Sequence, residues 1–174
     1  MEIWQRNVKK VLMQNSKIRP NQLFALSLSY PVINPSSEEA KEILNTVEKK
    51  LLTPFGLKTL AKGEPNYCET YEGDMTSRDM NYHQGIIWPW LLGLYYDTLN
   101  NMIECEKGKK AKKELEDKLS KFKLSVKETF LEQMKEGESV GSICEIYDIK
   151  NKKYRAQGAK FQAWSVGEVF RIIL

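Results

Sequence analysis

The chemistry open to this chain is narrowed first by what its residues lack. It has one histidine, His83, in the stretch RDMNYHQGIIWPWLLG (residues 78–93). A Ser-His-Asp triad would need that histidine, and no serine near it stands in a nucleophile context such as GxSxG. No glycine-rich phosphate loop and no HExxH pair is present. Carboxylate chemistry remains, meaning proton donation and abstraction by Asp or Glu. Glu145 stands out in GSICEIYD because Ile143, Cys144, Ile146 and Tyr147 flank it. A carboxylate among apolar neighbours must be paired, hydrogen-bonded or functional, since leaving it alone in a dry setting is costly. Composition alone favours the plainer reading, a partly exposed loop acid or a helix cap, and Asp148 three residues on is its rival.

A second constellation suits a sugar. Glu64, Glu69, Glu72 and Asp74 read as solvated loop acids. Asp79 differs, because Arg78-Asp79 leads into Tyr82, His83 and Gln84, with Trp88 and Trp90 behind. Side-chain forks of this kind bond pairs of hydroxyls, and aromatic faces take the C–H faces of a pyranose. The bland alternative makes the two tryptophans core. Positions two apart on a helix do not share a face, so at least one of them is expected there.

These residues need elements to hold them. The 174 residues fit a single domain spanning residues 1–174, long enough to bury a core. Residues 2–13 could form a short helix. Pro20 suits the first turn of a buried helix that Pro31 ends. Ser36, with Glu39 three residues on, predicts a capping box, and Ala40, Ile43, Leu44, Val47 and Leu51 then repeat at helical spacing up to about Leu52. Residues 53–85 carry no helical period. A long irregular run inside a compact domain is usually functional. An interior helix is predicted from Pro89 towards Glu104, an amphipathic one from Lys109 to Glu136, and a closing one over FQAWSVGEVFRIIL. No alternating strand pattern of useful length appears, so the fold class expected is all-α.

Composition excludes several functions. The net charge of +4 comes mostly from lysines interleaved with Glu and Asp between Lys107 and Lys127, which reads as a solvated helix face rather than a nucleic-acid footprint. No apolar run is long enough to span a bilayer. The start, MEIWQRNVKK, has no apolar h-region, so the expected location is cytoplasmic. Cys68, Cys105 and Cys144 are far apart, and with one histidine they suggest neither a disulfide framework nor a metal site. No cofactor is expected.

The succession RPNQLFALSL, LLTPFGLKTL, PNYCETYEGD, RDMNYHQGIIWPWLLG, GSICEIYD and FQAWSVGEVFR resembles the C-terminal part of glycogen debranching enzymes, their amylo-α-1,6-glucosidase module. The resemblance runs from about Ile18 to Arg171 in unbroken order. It implies a glucoamylase-like (α/α)6 toroid, of which this chain would be a partial copy of about half. It also implies removal of the α-1,6-linked glucose at a glycogen branch point, with inversion and without a metal. Inversion needs an acid and a base roughly 6.5–9.5 Å apart, with room for water between them. Carried over, the glutamate of GSICEIYD makes Glu145 the general base, which reverses the plainer reading of that residue. Arg78, Asp79, His83, Gln84, Trp88, Gln162 and Trp164 would then shape the sugar pocket, with Trp90 as a wall behind it.

The departures also carry weight. The family's general acid is an aspartate in an upstream Trp-Met-Asp block that this chain lacks, and the block before QAWS reads GAKF in place of a Gly-Cys pair. The partners expected are therefore glycogen or a branched α-glucan oligosaccharide, the missing N-terminal half of the catalytic domain, and a second copy through exposed helix faces. The isolated chain is expected to be inactive. Two other readings stay open: a non-catalytic glycogen-binding fragment, and a glucoamylase-like α-1,4-glucosidase fragment.

Overall fold

The computed structural model describes residues 17–136 and 139–174, so the helix expected over residues 2–13 lies outside it. Pro20 opens a 3-10 turn, Pro20–Leu23, that runs into a short helix, Phe24–Ser27 (α1). The next helix, Glu38–Lys50 (α2), is capped by Ser37, whose Oγ accepts from the Ala40 N–H at 3.2 Å. Ser36 was the expected cap. Its hydroxyl bonds Asn34 Oδ1 instead, so the helix begins one residue later. Glu38 and Glu39 in the first turn and Lys49 and Lys50 in the last complement the helix dipole.

Met75–Asn81 (α3) lies in the stretch read as irregular and buries no residue, so it has no apolar period to reveal it. Asp74 caps it, accepting from the Ser77 N–H at 2.8 Å. Pro89–Leu91 forms a 3-10 turn that leads into Leu92–Cys105 (α4), and Lys109–Glu136 (α5) and Ala163–Ile173 (α6) follow. Leu92, Tyr95, Leu99 and Met102 are buried along α4 at spacings of three and four.

The all-α expectation, and with it the partial (α/α)6 toroid, is overturned by a five-stranded antiparallel sheet among the described residues, ordered β1-β2-β3-β4-β5. Its strands are Leu52–Thr53, Gly56–Lys58, Ile87–Trp88, Ile146–Lys150 and Lys153–Gln157. Strands of two or three residues are too short to display an alternation of period two. β4 hides for another reason: Ile146, Tyr147 and Asp148 are all buried, so the strand carries no alternation of inward and outward residues, and the charged Asp148 breaks up its apolar run. The β4–β5 turn uses Asn151 and Lys152, both at positive φ (52° and 62°). That is the geometry of a two-residue hairpin, without the Asn-Gly signature that usually announces it.

The sheet sits between two apolar clusters. Leu57 pairs with Trp88, and both face a cluster holding Leu23, Leu44, Val47, Tyr95 and Leu99. Ile87 pairs with Tyr147, and both face a second cluster holding Val126, Phe130, Val169 and Ile172. Adjacent residues of β3 thus serve opposite faces, as pleating requires. Helices α1 and α2 pack on the first cluster and α6 on the second, while α4 and α5 contribute to both, α4 through Leu92 in the second and α5 through Leu115 and Leu119 on the first.

Candidate functional site

Glu145 lies just ahead of β4, where its backbone and side chain both bond Ala159, two residues past the end of β5. Its N–H donates to the Ala159 carbonyl at 2.8 Å, and the Ala159 N–H donates back to Oε2 at 3.0 Å. The other oxygen, Oε1, accepts the Tyr82 hydroxyl. A carboxylate offers about four acceptor positions, so two donors orient it and leave capacity for a water. Gly158 makes room for this. It has φ +70°, and a Cβ there would stand 2.4 Å from Glu145 Oε2.

Tyr82 reaches Glu145 from the C-terminal end of α3. Its ring meets Trp88 edge-on with centroids 4.8 Å apart, and the Trp88 indole N–H donates to the Tyr82 carbonyl at 3.2 Å. Burial first, then the Glu145 carboxylate, raise the Tyr82 phenol well above its ordinary value, so it stays a donor throughout the neutral range.

An aromatic pocket adjoins this pair. His83 stacks on Trp88 at 5.2 Å and 15°, and Trp164 stacks on Trp90 at 5.3 Å and 22° while meeting Trp88 edge-on at 5.9 Å. With Arg19 and Phe24 these rings line a cavity of about 340 Å³. Trp88 is buried, Trp90 is half-buried, and Trp164 is 50% exposed, a face open to a ligand. Neither Glu145 nor Tyr82 lines the cavity; Glu145 is linked to its wall through Tyr82, whose ring packs on Trp88 and His83.

Arg19 fixes the loop beneath the rings. Its guanidinium donates to the Thr59 and His83 carbonyls at 2.9 and 2.7 Å, and to Gln84 Oε1 at 2.9 Å. A guanidinium has no acceptor, so the Gln84 amide must present its oxygen to Arg19 and turn its NH2 elsewhere. The His83 imidazole is held below its ordinary value by burial and then by Arg19, with Glu145 opposing the shift. Gly85, at φ +134°, lets the chain pass where a Cβ would stand 2.4 Å from the Cys68 carbonyl.

The remaining residues picked out from the sequence fall further out. Arg78 and Asp79 are exposed on α3, and the Arg78 guanidinium lies 5.9 Å from the Tyr71 ring centre. Gln162 is the N-cap of α6, and its N–H donates to the Ile143 carbonyl at 3.0 Å, which ties the Glu145 loop to that helix. Asp148, the rival carboxylate, is 1% exposed and fully engaged by Arg155 and by the Tyr71 N–H at 2.8 Å. Sequence reasoning missed Tyr82 as the partner of Glu145, and it missed Arg19 and Phe24 altogether. The Tyr82–Glu145 pair is 63 residues apart in the chain, and no local pattern announces it.

Two comparisons bear on this arrangement. Residues 2–171 match the family described as amylo-alpha-1,6-glucosidase. A glycogen debranching enzyme from Saccharomyces cerevisiae is 30% identical over 88 residues. Those residues are 47% of this chain and 6% of the yeast protein, so the chain matches a small fraction of that relative's length.

Proposed function

We infer the function from the premise that this chain belongs to the amylo-α-1,6-glucosidase family. It forms part of an inverting glycoside hydrolase that removes α-1,6-linked glucose from branched glucans such as glycogen. Glu145 is the general base, taking a proton from the water that attacks the anomeric carbon. The single observation that carries this reading is the Glu145 carboxylate, held by a donor on each oxygen beside an aromatic pocket. Trp88, Trp164 and His83 form the sugar-facing wall, with Gln84, Arg78, Asp79 and Gln162 at its margin.

The general acid comes from chain outside these residues, since no aspartate here stands in the matching block. Proton delivery to the leaving oxygen is then absent, and the isolated chain hydrolyses negligibly. The test is reconstitution with the preceding segment of a debranching enzyme. Glucose release from a branched limit dextrin should need both pieces and should vanish with Glu145→Gln. Equal rates for wild type and Glu145→Gln would overturn the assignment. Release from linear α-1,4 oligosaccharides at a similar rate would favour a glucoamylase-like activity.

A second reading, a glucan-binding piece without chemistry, draws on the half-exposed Trp164 stacked on Trp90. Under it, the isolated chain binds maltooligosaccharides and reconstitution restores nothing.

A further inference from the structure

We propose that Tyr82 is the positioning residue for the Glu145 carboxylate, joining the aromatic wall of the pocket to the group that activates water. The proposal rests on the reading of Glu145 as the base and goes one residue beyond it.

Three observations carry it. First, Tyr82 is the side-chain donor to Glu145 among the described residues; the other donor is the backbone N–H of Ala159. Two donors on two different oxygens fix the carboxylate's rotation about its last bond, and removing either frees it. Second, Tyr82 is itself immobilised. Its carbonyl accepts from Trp88, and its ring is packed by Trp88 at 4.8 Å, His83 at 4.8 Å and Tyr71 at 5.7 Å. Third, two of these rings, Trp88 and His83, line the cavity, so a sugar seated on them presses on the residue that aims the base. A base must hold its attacking water within a few tenths of an ångström of the productive line, and a freely rotating carboxylate does not. The phenol stays protonated through neutral pH, so the donor is present whenever the enzyme works.

Tyr82→Phe deletes the hydroxyl and keeps the ring, so the aromatic packing survives. The first arm uses the chain alone, labelled with ¹³C at the glutamate carboxyls. The Glu145 resonance is identified by its loss in Glu145→Gln. At pH 7 it should stand apart from the exposed glutamates in the wild type and move into their envelope in Tyr82→Phe. The Ala159 amide should exchange on the order of tenfold faster, while the Asp148 amide, which faces β5, and the Ile149 amide, which donates to the Glu69 carbonyl on the other side of β4, keep wild-type rates and report an intact strand. An unmoved resonance together with unchanged Ala159 exchange would overturn the proposal.

The second arm uses the reconstituted hydrolase. Tyr82→Phe should lower kcat on the order of tenfold or more with KM within about twofold, the pattern of an interaction made in the transition state. A rise in KM at constant kcat would make Tyr82 a sugar contact and refute the positioning role. If Glu145→Gln stays active, the assignment of the base has failed, and the spectroscopic arm still decides whether Tyr82 orients that carboxylate.

Discussion

Arg155 meets Asp148 as a fork, with Nε donating to Oδ1 at 2.9 Å and Nη2 donating to Oδ2. Asp148 also accepts the Tyr71 N–H, so one buried carboxylate ties hairpin β4–β5 to the loop ahead of α3. Glu145 precedes this hairpin and Tyr82 ends that helix. The ion pair therefore braces both halves of the proposed base and its partner.

Asp148→Asn should destabilise the chain by about 3 kcal/mol, the lower end for breaking a buried pair, because Arg155 keeps some contact with solvent. Urea denaturation monitored by tryptophan fluorescence measures this. A change below about 0.5 kcal/mol would place the pair with ordinary surface bridges.

Glu72 shares Arg155 and also accepts from Lys150 at 2.6 Å. These hydrogen bonds, Lys150 first, hold its carboxyl below the usual range. A depressed folded value means the stabilisation is complete above the unfolded carboxylate value, about 4.3, and fades as pH falls through the folded one. The Tm difference between wild type and Glu72→Gln should therefore close between pH 5 and the acid limit. A gap that widens on acidification would contradict the network.

His83 is the only histidine, so its imidazole protons give an unambiguous NMR titration. The midpoint should lie below about 6.5, the unperturbed value. Because the folded value is depressed, its contribution to stability is complete above that pH and declines as pH falls towards the folded midpoint. Glu145→Gln should lower the midpoint further, since the carboxylate opposes the shift. An upward move in that variant would mean the two groups do not sense each other.

Gly158→Ala should do two kinds of damage. The left-handed backbone costs roughly 1–2 kcal/mol with a side chain present, and the new methyl drives into Glu145 Oε2. Reconstituted activity should fall on the order of tenfold or more, with a Tm drop of a few degrees. Full activity would show that the carboxylate tolerates another orientation.

Trp164→Ala should leave the fold intact, because half the side chain is already exposed. Maltooligosaccharide affinity, read by fluorescence quenching of the isolated chain, should weaken on the order of tenfold if Trp164 faces the sugar. Unchanged affinity would move the sugar elsewhere.

The helices were legible because each of the long ones buries a stripe. Ala40, Leu44 and Val47 write a 3.6-residue period into the sequence, and so do Leu92, Tyr95, Leu99 and Met102. The sheet was not legible, because β1 and β3 each offer two residues and β4 offers three buried ones in a row. The apolar neighbours of Glu145, Ile143, Cys144 and Ile146, drew attention to it, but by themselves they favoured a plain loop acid, and only the family resemblance singled it out. Its partner was not legible, because the distance between Tyr82 and Glu145 is closed by β3 pairing with β4 at Ile87 and Tyr147. Arg19 was hidden for a similar reason: its acceptors at Thr59, His83 and Gln84 lie 40, 64 and 65 residues away.

Ile87 and Trp88 are neighbours in the chain and belong to different cores. Neither cluster can open without peeling the same two-residue strand away from the other. The chain should consequently melt in a single step, with calorimetric and van't Hoff enthalpies that agree. Between Gly85 and Pro89, length is as constrained as identity: one inserted residue would exchange the two side chains between the cores and send an indole into the space cut for an isoleucine.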